Sequence, residues 1–263
     1  MDTAISFVTA ANNEKVLAQN LLASPALQDG HQLIVQRGYA SAGRAYNEAM
    51  EKAVHDLVAF VHQDVFLPQG WDRRLLDVVA GLEQRGTRWG ALGCYGISLS
   101  GGAAGYLYAN GLGSLLGSPG APVEAQSLDE VVLVLRRSGG LRFDPDLPGF
   151  HLYGTDICLQ ARQAGRRCYA IGNFCFHNSL PILGLNADFW GCAEYLRRKW
   201  RPSLPVKTPC IVLEPGRLRL WRRRLASRLG LLLERRRRSR RSSRAGDPAT
   251  AALALFPRAE APG

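Results

Sequence analysis

A few side chains in this 263-residue chain carry chemistry that folding alone does not call for. His62, Gln63 and Asp64 end an apolar run at 58–61 (VAFV). Asp129 sits in SLDE, a break between two apolar runs, and Thr155 and Asp156 open the amphipathic stretch 153–164 (YGTDICLQARQA). His177 lies in NFCFHNS, just beyond a short apolar run at 168–171. A buried strand that ends in an imidazole and a carboxylate delivers both to one edge of a sheet. In open α/β sheets, the edge outside the carboxyl ends of the strands is where ligands bind. Imidazole and carboxylate together can hold a cation, and a carboxylate within reach of a hydroxyl can take its proton. Each residue also has a plainer reading. Asp64 could be a surface carboxylate, His62 a satisfied polar strand end and His177 a core or surface histidine. Asp129 could simply cap a turn. Asp156 is favoured in a first helical turn by the helix dipole, whatever else it does.

The elements that must position these groups alternate along the chain. Strands are expected at 4–9, 31–36, 58–61 and 89–94. Helices are expected at 15–22, at 41–55 with Ser41 as N-cap, and at 71–84 with an apolar stripe of Leu75, Leu76, Val79 and Leu82. This β-α-β-α-β-α-β order implies a mostly parallel sheet covered by helices. The glycine-rich segment 97–122 fits neither period and reads as an irregular loop or small hairpin over the site. Two strands come next within 123–137, then a helix at 153–164 closed by Gly165, a strand at 168–171 and a helix at 188–200. No GxGxxG comes after Thr9, which sets a dinucleotide-binding dehydrogenase aside.

The net charge of +11 divides unevenly. Residues 1–196 hold 14 Lys/Arg and 18 Asp/Glu, a balance of −4; residues 197–244 hold 18 and 2, a balance of +16. The basic character belongs to the C-terminal extension. The six cysteines show no CxxC spacing, the N-terminus has no basic n-region, and no apolar run reaches transmembrane length, so reduced thiols in a cytoplasmic protein are expected.

In this order the pieces resemble an inverting family 2-type glycosyltransferase with the GT-A fold, over roughly residues 5–179. They lie closest to bacterial glycosyltransferase-like proteins in which HQD replaces the usual acidic tripeptide. The matching segments are SFVTAANNE, SAGRAYNEAM, HQDVFLPQGWD, SLDEVVLVLRR and FDPDLPGFHLYGTDICLQARQAGRRCYAIGNFCFHNS. The resemblance implies a GT-A-like three-layer α/β sandwich over 1–213. It implies a nucleotide-diphosphate sugar as donor, a carbohydrate or glycolipid hydroxyl as acceptor, and Mn2+ or Mg2+ as cofactor. Asp64, His177 and His62 would be the metal ligands; hard cations want oxygen, and the imidazole suits Mn2+ better. Asp156 would be the general base. Thr9, Asn12, Asn13, Glu14, Arg44, Asn47 and Gln63 would line the donor site, and Asp129, Trp71 and Thr155 the acceptor site, although Trp71 also reads as core. The family often carries acidic residues after its second strand, where this chain has Gln36-Arg37-Gly38.

Residues 214–263 form a separate basic extension. Leu218, Leu220, Trp221, Leu225, Leu229 and Leu232 can share a face among arginines, which is the composition of a helix at an anionic membrane surface. The residues after Ser242 are expected to be disordered. An enzyme on the inner face of the membrane is one reading. A non-catalytic protein that keeps the transferase fold, or that binds nucleic acid through its tail, is the other. The acidic body makes a nucleic-acid surface the weaker choice.

Overall fold

The computed structural model describes residues 4–28, 30–181, 184–218, 220, 222, 224, 225 and 244–255. Trp221, Leu229 and Leu232 of the expected membrane-facing stretch lie outside the described residues. The strands are β1 (Ser6–Ala11), β2 (Gln32–Arg37), β3 (Leu57–Val61), β4 (Val65–Phe66), β5 (Trp89–Gly93), β6 (Tyr95–Ser98), β7 (Ala103–Ala109), β8 (Ser114–Gly117), β9 (Val123–Leu128), β10 (Val132–Arg136), β11 (Arg167–Ala170), β12 (Cys175–His177), β13 (Val206–Lys207) and β14 (Val212–Leu213). The helices are α1 (Glu14–Gln19), α2 (Ala42–Lys52), α3 (Trp71–Gln84), α4 (Tyr153–Gln163), α5 (Ala187–Lys199) and α6 (Pro248–Leu255).

Twelve strands form one sheet in the order β2-β1-β3-β10-β5-β11-β9-β6-β7-β12-β4, with β8 on β7. Only part of it is parallel: β2-β1-β3, β5-β11 and β7-β12. The pairs β3-β10, β10-β5, β11-β9, β9-β6, β6-β7 and β12-β4 are antiparallel. This corrects the expectation of a mostly parallel sheet. The cause is the segment read as a loop: β6, β7 and β8 pair as a meander, and their turns let successive strands reverse without a crossover helix.

The three-layer arrangement does hold. β3 is buried throughout, and its side chains alternate between two cores. Val58 and Phe60 face a core built with α2, α4 and α5, where Tyr46, Phe143 and Tyr153 pack around Phe60. Leu57, Ala59 and Val61 face the opposite core with Leu17 of α1 and Trp71, Leu75 and Val79 of α3. Trp71 is fully buried against Phe7 at 6.0 Å, so the acceptor-platform reading gives way to a core role. Ser41 stands at the N-cap position of α2 but makes no side-chain cap bond; Asn13 and Asn186 do cap α1 and α5.

The expected boundary at 213 does not separate the extension cleanly from the domain. Leu220 is buried in the core with α2, α4 and α5, whereas Leu218 and Leu225 are exposed. Part of the stretch expected to be disordered is ordered. Helix α6 buries Ala252 against Phe66, Tyr106, Phe174 and Phe176 on the β4-β12 side of the sheet.

Helix α4 starts on a constrained corner. Its N-cap, Leu152, has φ 62°, a left-handed value that is rare for a branched apolar residue. Gly154 then approaches β9 so closely that a Cβ would stand 2.5 Å from the Leu128 carbonyl oxygen. Gly154→Ala must push α4 off the sheet, and a destabilisation of about 1–3 kcal/mol is expected in denaturant titration, as for other overpacked sites. A change under a few tenths would show that the corner yields freely.

Candidate functional site

Five chain segments meet at one edge of the sheet. The parallel strands β2, β1 and β3 all end there, delivering Gly38 and Tyr39, Asn12 and Asn13, and His62-Gln63-Asp64. β10 runs the other way beside β3, with Val132 opposite Val61, so the residues just before it, Asp129 and Glu130, reach the same edge. β12 ends at His177, which pairs with Val65 of β4, and the Asn178 N–H donates to the Asp64 carbonyl at 2.8 Å. His177 is thereby set against Asp64.

His62, Asp64 and His177 each present a ligand atom, and these atoms lie within 4.8 Å of one another. Among the described residues this is the only group of three or more His, Cys, Asp and Glu side chains with such spacing. His177 Nε2 stands 3.3 Å from Asp64 Oδ1. Burial alone would raise the Asp64 carboxyl, but His177, His62 and Arg244 outweigh it and hold it well below the usual carboxylate range. Burial opposes a charge on His177, yet the Asp64 carboxylate prevails and its proton affinity is raised. Burial dominates at His62, whose proton affinity is lowered.

A hydrogen-bond chain orients His62. The Tyr153 hydroxyl donates to the Glu130 carbonyl at 3.2 Å, an oxygen that can only accept. The same hydroxyl lies 3.0 Å from His62 Nε2 and is left to accept from it. This assigns the proton to Nε2 and leaves the lone pair on Nδ1. A donor set of one carboxylate and two imidazoles can hold a divalent cation.

Beside the cluster lies a cavity of about 530 Å3. Its walls include Asn12, Gln36, Tyr39, Tyr46, Gln63, Asp64, Phe150 and His151, a mix of aromatic surface and convergent polar groups typical of small-molecule sites. Gln63 works as a staple between strand ends. Its Oε1 accepts from the Asn12 and Asn13 N–H groups at 3.1 and 3.0 Å, and its Nε2 donates to Asn12 Oδ1 at 2.6 Å.

Other expected site residues lie elsewhere or have structural duties. Thr9 and Thr155 are fully buried. Glu14 is exposed and paired with Arg37 at 2.6 Å, and Arg44 is exposed on α2. Asn47 clamps the backbone of Phe143 through bonds of 2.7 and 3.0 Å.

Asp156, the expected base, sits in the contact between α4 and α5. It is 1% exposed. Its Oδ1 accepts from Trp200 Nε1 at 2.6 Å and lies 2.8 Å from Lys199 Nζ. Its Oδ2 accepts from Gln160 Nε2 at 2.7 Å and from Lys199 Nζ at 3.0 Å. A base needs an open lone pair facing an acceptor, and these donors tie both oxygens to the α4-α5 contact.

The carboxylates at the cluster's edge are Asp129 and Glu130. Asp129 Oδ1 accepts from the Val131 N–H at 3.0 Å, and its charge is felt at both His62 and His177. Glu130 Oε1 takes the Gly154 N–H at 3.3 Å, and a Cβ on Gly154 would meet that oxygen. Burial, reinforced by the Asp129 charge, raises the Glu130 proton affinity well above the ordinary value. Glu130, Tyr153, Tyr39, Phe150 and His151 carried no recognised spacing. The only sequence signal for Glu130 was its place beside Asp129 in SLDE.

No protein-family model matches the chain. It is 31% identical over 154 residues to the "ATP synthase subunits region ORF 6" protein of Fuscovulum blasticum, a match covering 56% of this chain. The chain spans 61% of that relative's length. Its structure is similar to GalNAc-T7 with UDP, GalNAc and Mn2+, at TM-score 0.48 and 12% identity over 74% of this chain and 48% of that one. It is similar to a mannosyltransferase from Pyrobaculum calidifontis in complex with GDP-Man and Mn2+, at TM-score 0.46 and 12% identity over 96% and 74%. It is also similar to S. aureus TarS 1–349 in complex with UDP-GlcNAc, at TM-score 0.45 and 13% identity over 78% and 68%.

Proposed function

We propose that the chain is a metal-dependent glycosyltransferase that moves a sugar from a nucleotide diphosphosugar to an acceptor hydroxyl with inversion. The observation that carries this reading is the His62-Asp64-His177 cluster at the carboxyl edge of β3, opening beside a cavity large enough for a nucleotide. His62, Asp64 and His177 would hold the cation. When bound, it neutralises charge that develops on the departing diphosphate.

The remaining work falls to the protein's own groups. Asn12, Gln36, Tyr39 and the Gln63 staple shape the nucleotide end of the cavity. The acceptor oxygen attacks the anomeric carbon from the face opposite the diphosphate. The carbon–oxygen bond to the diphosphate breaks, and its electron pair leaves with the nucleoside diphosphate. The hydroxyl proton passes to a carboxylate, and Glu130 is the candidate. It stands at the cluster's edge, its Oε1 is oriented by Gly154, and burial raises its affinity for a proton. Asp129 is the alternative within the same pair.

Among the described residues no helix is long and apolar enough to cross a membrane. A surface attachment through the basic extension, with a lipid-linked or polysaccharide acceptor, is part of the same proposal and rests on the +16 balance of residues 197–244.

Calorimetric titration with Mn2+ and UDP or GDP tests the reading. Wild-type protein is expected to bind a nucleotide only with the metal present, and Asp64→Ala to lose that binding while melting normally. Equal affinity in the variant would remove Asp64 from the site. Tyr153→Phe keeps the ring but frees His62 from its orienting bond, and Mn2+ affinity should fall about tenfold, as for other groups that orient metal ligands. Glu130→Gln should keep nucleotide binding and lower turnover at least about a hundredfold. Asp156→Asn should instead act mainly on the melting temperature. The opposite pattern in these two variants would return the base to Asp156.

A further inference from the structure

Arg244 is a charged group at the site that the transferase reading leaves unused. It lies 180 positions along the chain from Asp64, yet its Nη2 stands 3.3 Å from Asp64 Oδ2. His177 takes the other carboxylate oxygen. The segment that carries Arg244 is anchored independently of Asp64. Arg244 Nε donates to the Asn178 carbonyl at 3.0 Å. The Ala245 N–H donates to Asn178 Oδ1 at 2.8 Å, and Asn178 Nδ2 returns a bond to the Ala245 carbonyl at 3.0 Å. Asn178 is itself fixed by Asn20 Oδ1 at 2.8 Å, and α6 then packs on Phe66, Phe174 and Phe176. A guanidinium is thus held at the rim of the metal cluster whether or not its contact with Asp64 persists.

Two roles suit such a group: a plug that excludes the cation, or a second positive charge for an anionic ligand. The contact is a poor plug. One arm of the fork reaches Asp64 while Nε is committed to Asn178, so the bidentate pairing that makes arginine–carboxylate bonds firm is absent here. Charge balance favours the second role. The ligand set holds one carboxylate and two imidazoles, so a divalent cation leaves one net positive charge if the imidazoles are neutral. The diphosphate of a nucleotide sugar carries two negative charges. One more positive charge is wanted, and the nearby Asp129 carboxylate only widens the gap. Arginine is suited to phosphate oxygens through its planar donors.

We propose that Arg244 binds the diphosphate of the donor. When a divalent cation takes Asp64, the guanidinium turns from the carboxylate to the phosphate oxygens, so that the segment 244–255 closes one side of the site. This rests on the nucleotide-sugar reading of the cluster.

The test is calorimetry on the full chain, wild type against Arg244→Gln and Arg244→Lys, with three titrants: Mn2+ alone, UDP or GDP with Mn2+, and UMP or GMP with Mn2+. Arg244→Gln is expected to leave Mn2+ affinity equal or tighter and to weaken the diphosphate at least about tenfold. The monophosphate should stay within about threefold, because losing a charge-assisted bond to a phosphate affects only a ligand that reaches it. Lysine should recover part of the loss. Melting curves confirm that the variants keep α6 docked. Diphosphate affinity that is unchanged or higher in Arg244→Gln would overturn the proposal and make the residue a plug. A parallel loss of mono- and diphosphate would overturn it as well. A wild-type protein that binds neither diphosphate with Mn2+ would overturn the nucleotide reading itself, and Arg244's role with it.

Discussion

The pairing of β3 with two neighbours of opposite direction governs the site. β1 runs parallel to β3 and β10 antiparallel to it. Parallel neighbours bring carboxyl ends to one edge, and the antiparallel neighbour brings an amino end to that same edge. His62-Gln63-Asp64 and Asp129-Glu130 can therefore be adjacent although they lie in separate parts of the chain. Shifting β10 by one residue would turn Val132 and Val134 from one core to the other and carry Glu130 away from Gly154. The buried faces on both sides of β3 forbid that slip, so the cores hold the chemistry in register.

Charge burial is the second constraint. The edge gathers a carboxylate, two histidines and an arginine in a partly enclosed place, where an unpaired charge would be expensive. Each finds a partner: His177 and Arg244 flank the two oxygens of Asp64, and Tyr153 takes His62. The partners are of a kind that can be exchanged. A cation can replace His177's proton on the Asp64 side, and phosphate oxygens can replace Asp64 for Arg244. At Asp156 the partners come from two packed helices, and exchanging them would mean separating α4 from α5. The same residue type therefore has exchangeable partners in one place and is locked into a helix contact in the other.

That contrast shows what the sequence could and could not convey. The tripeptide after β3 was legible because an apolar run ending in polar ligands has a simple geometric meaning, and His177 because it comes after a short strand. The glycine-rich meander 97–122 was not legible. Antiparallel strands there are short and poorly alternating, and the glycines that permit close approach, such as Gly105 at φ 102° against the Cys94 carbonyl, also resemble loop composition. Missing the meander made the sheet look parallel. The position of Asp156 in a first helical turn carried no information on whether that turn faces a pocket or another helix. Trp200, which decides it, lies 44 residues further along.

Glu130 and Arg244 illustrate the remaining gap. Glu130 matters because Gly154 lacks a side chain. The carboxyl from β10's leading turn occupies space at the start of α4 that any larger residue at 154 would claim. The carboxyl and the glycine that admits it are 24 residues apart, and neither is informative alone. Arg244 is one of many arginines in a run whose composition suggests only positive charge. Its distinction comes from its C-terminal neighbours: Ala245 locks onto Asn178, and α6 supplies an apolar surface that fits the aromatic patch of Phe66, Tyr106, Phe174 and Phe176. Composition placed the charge in the extension. The docking of a short apolar helix selects which charge returns to the site.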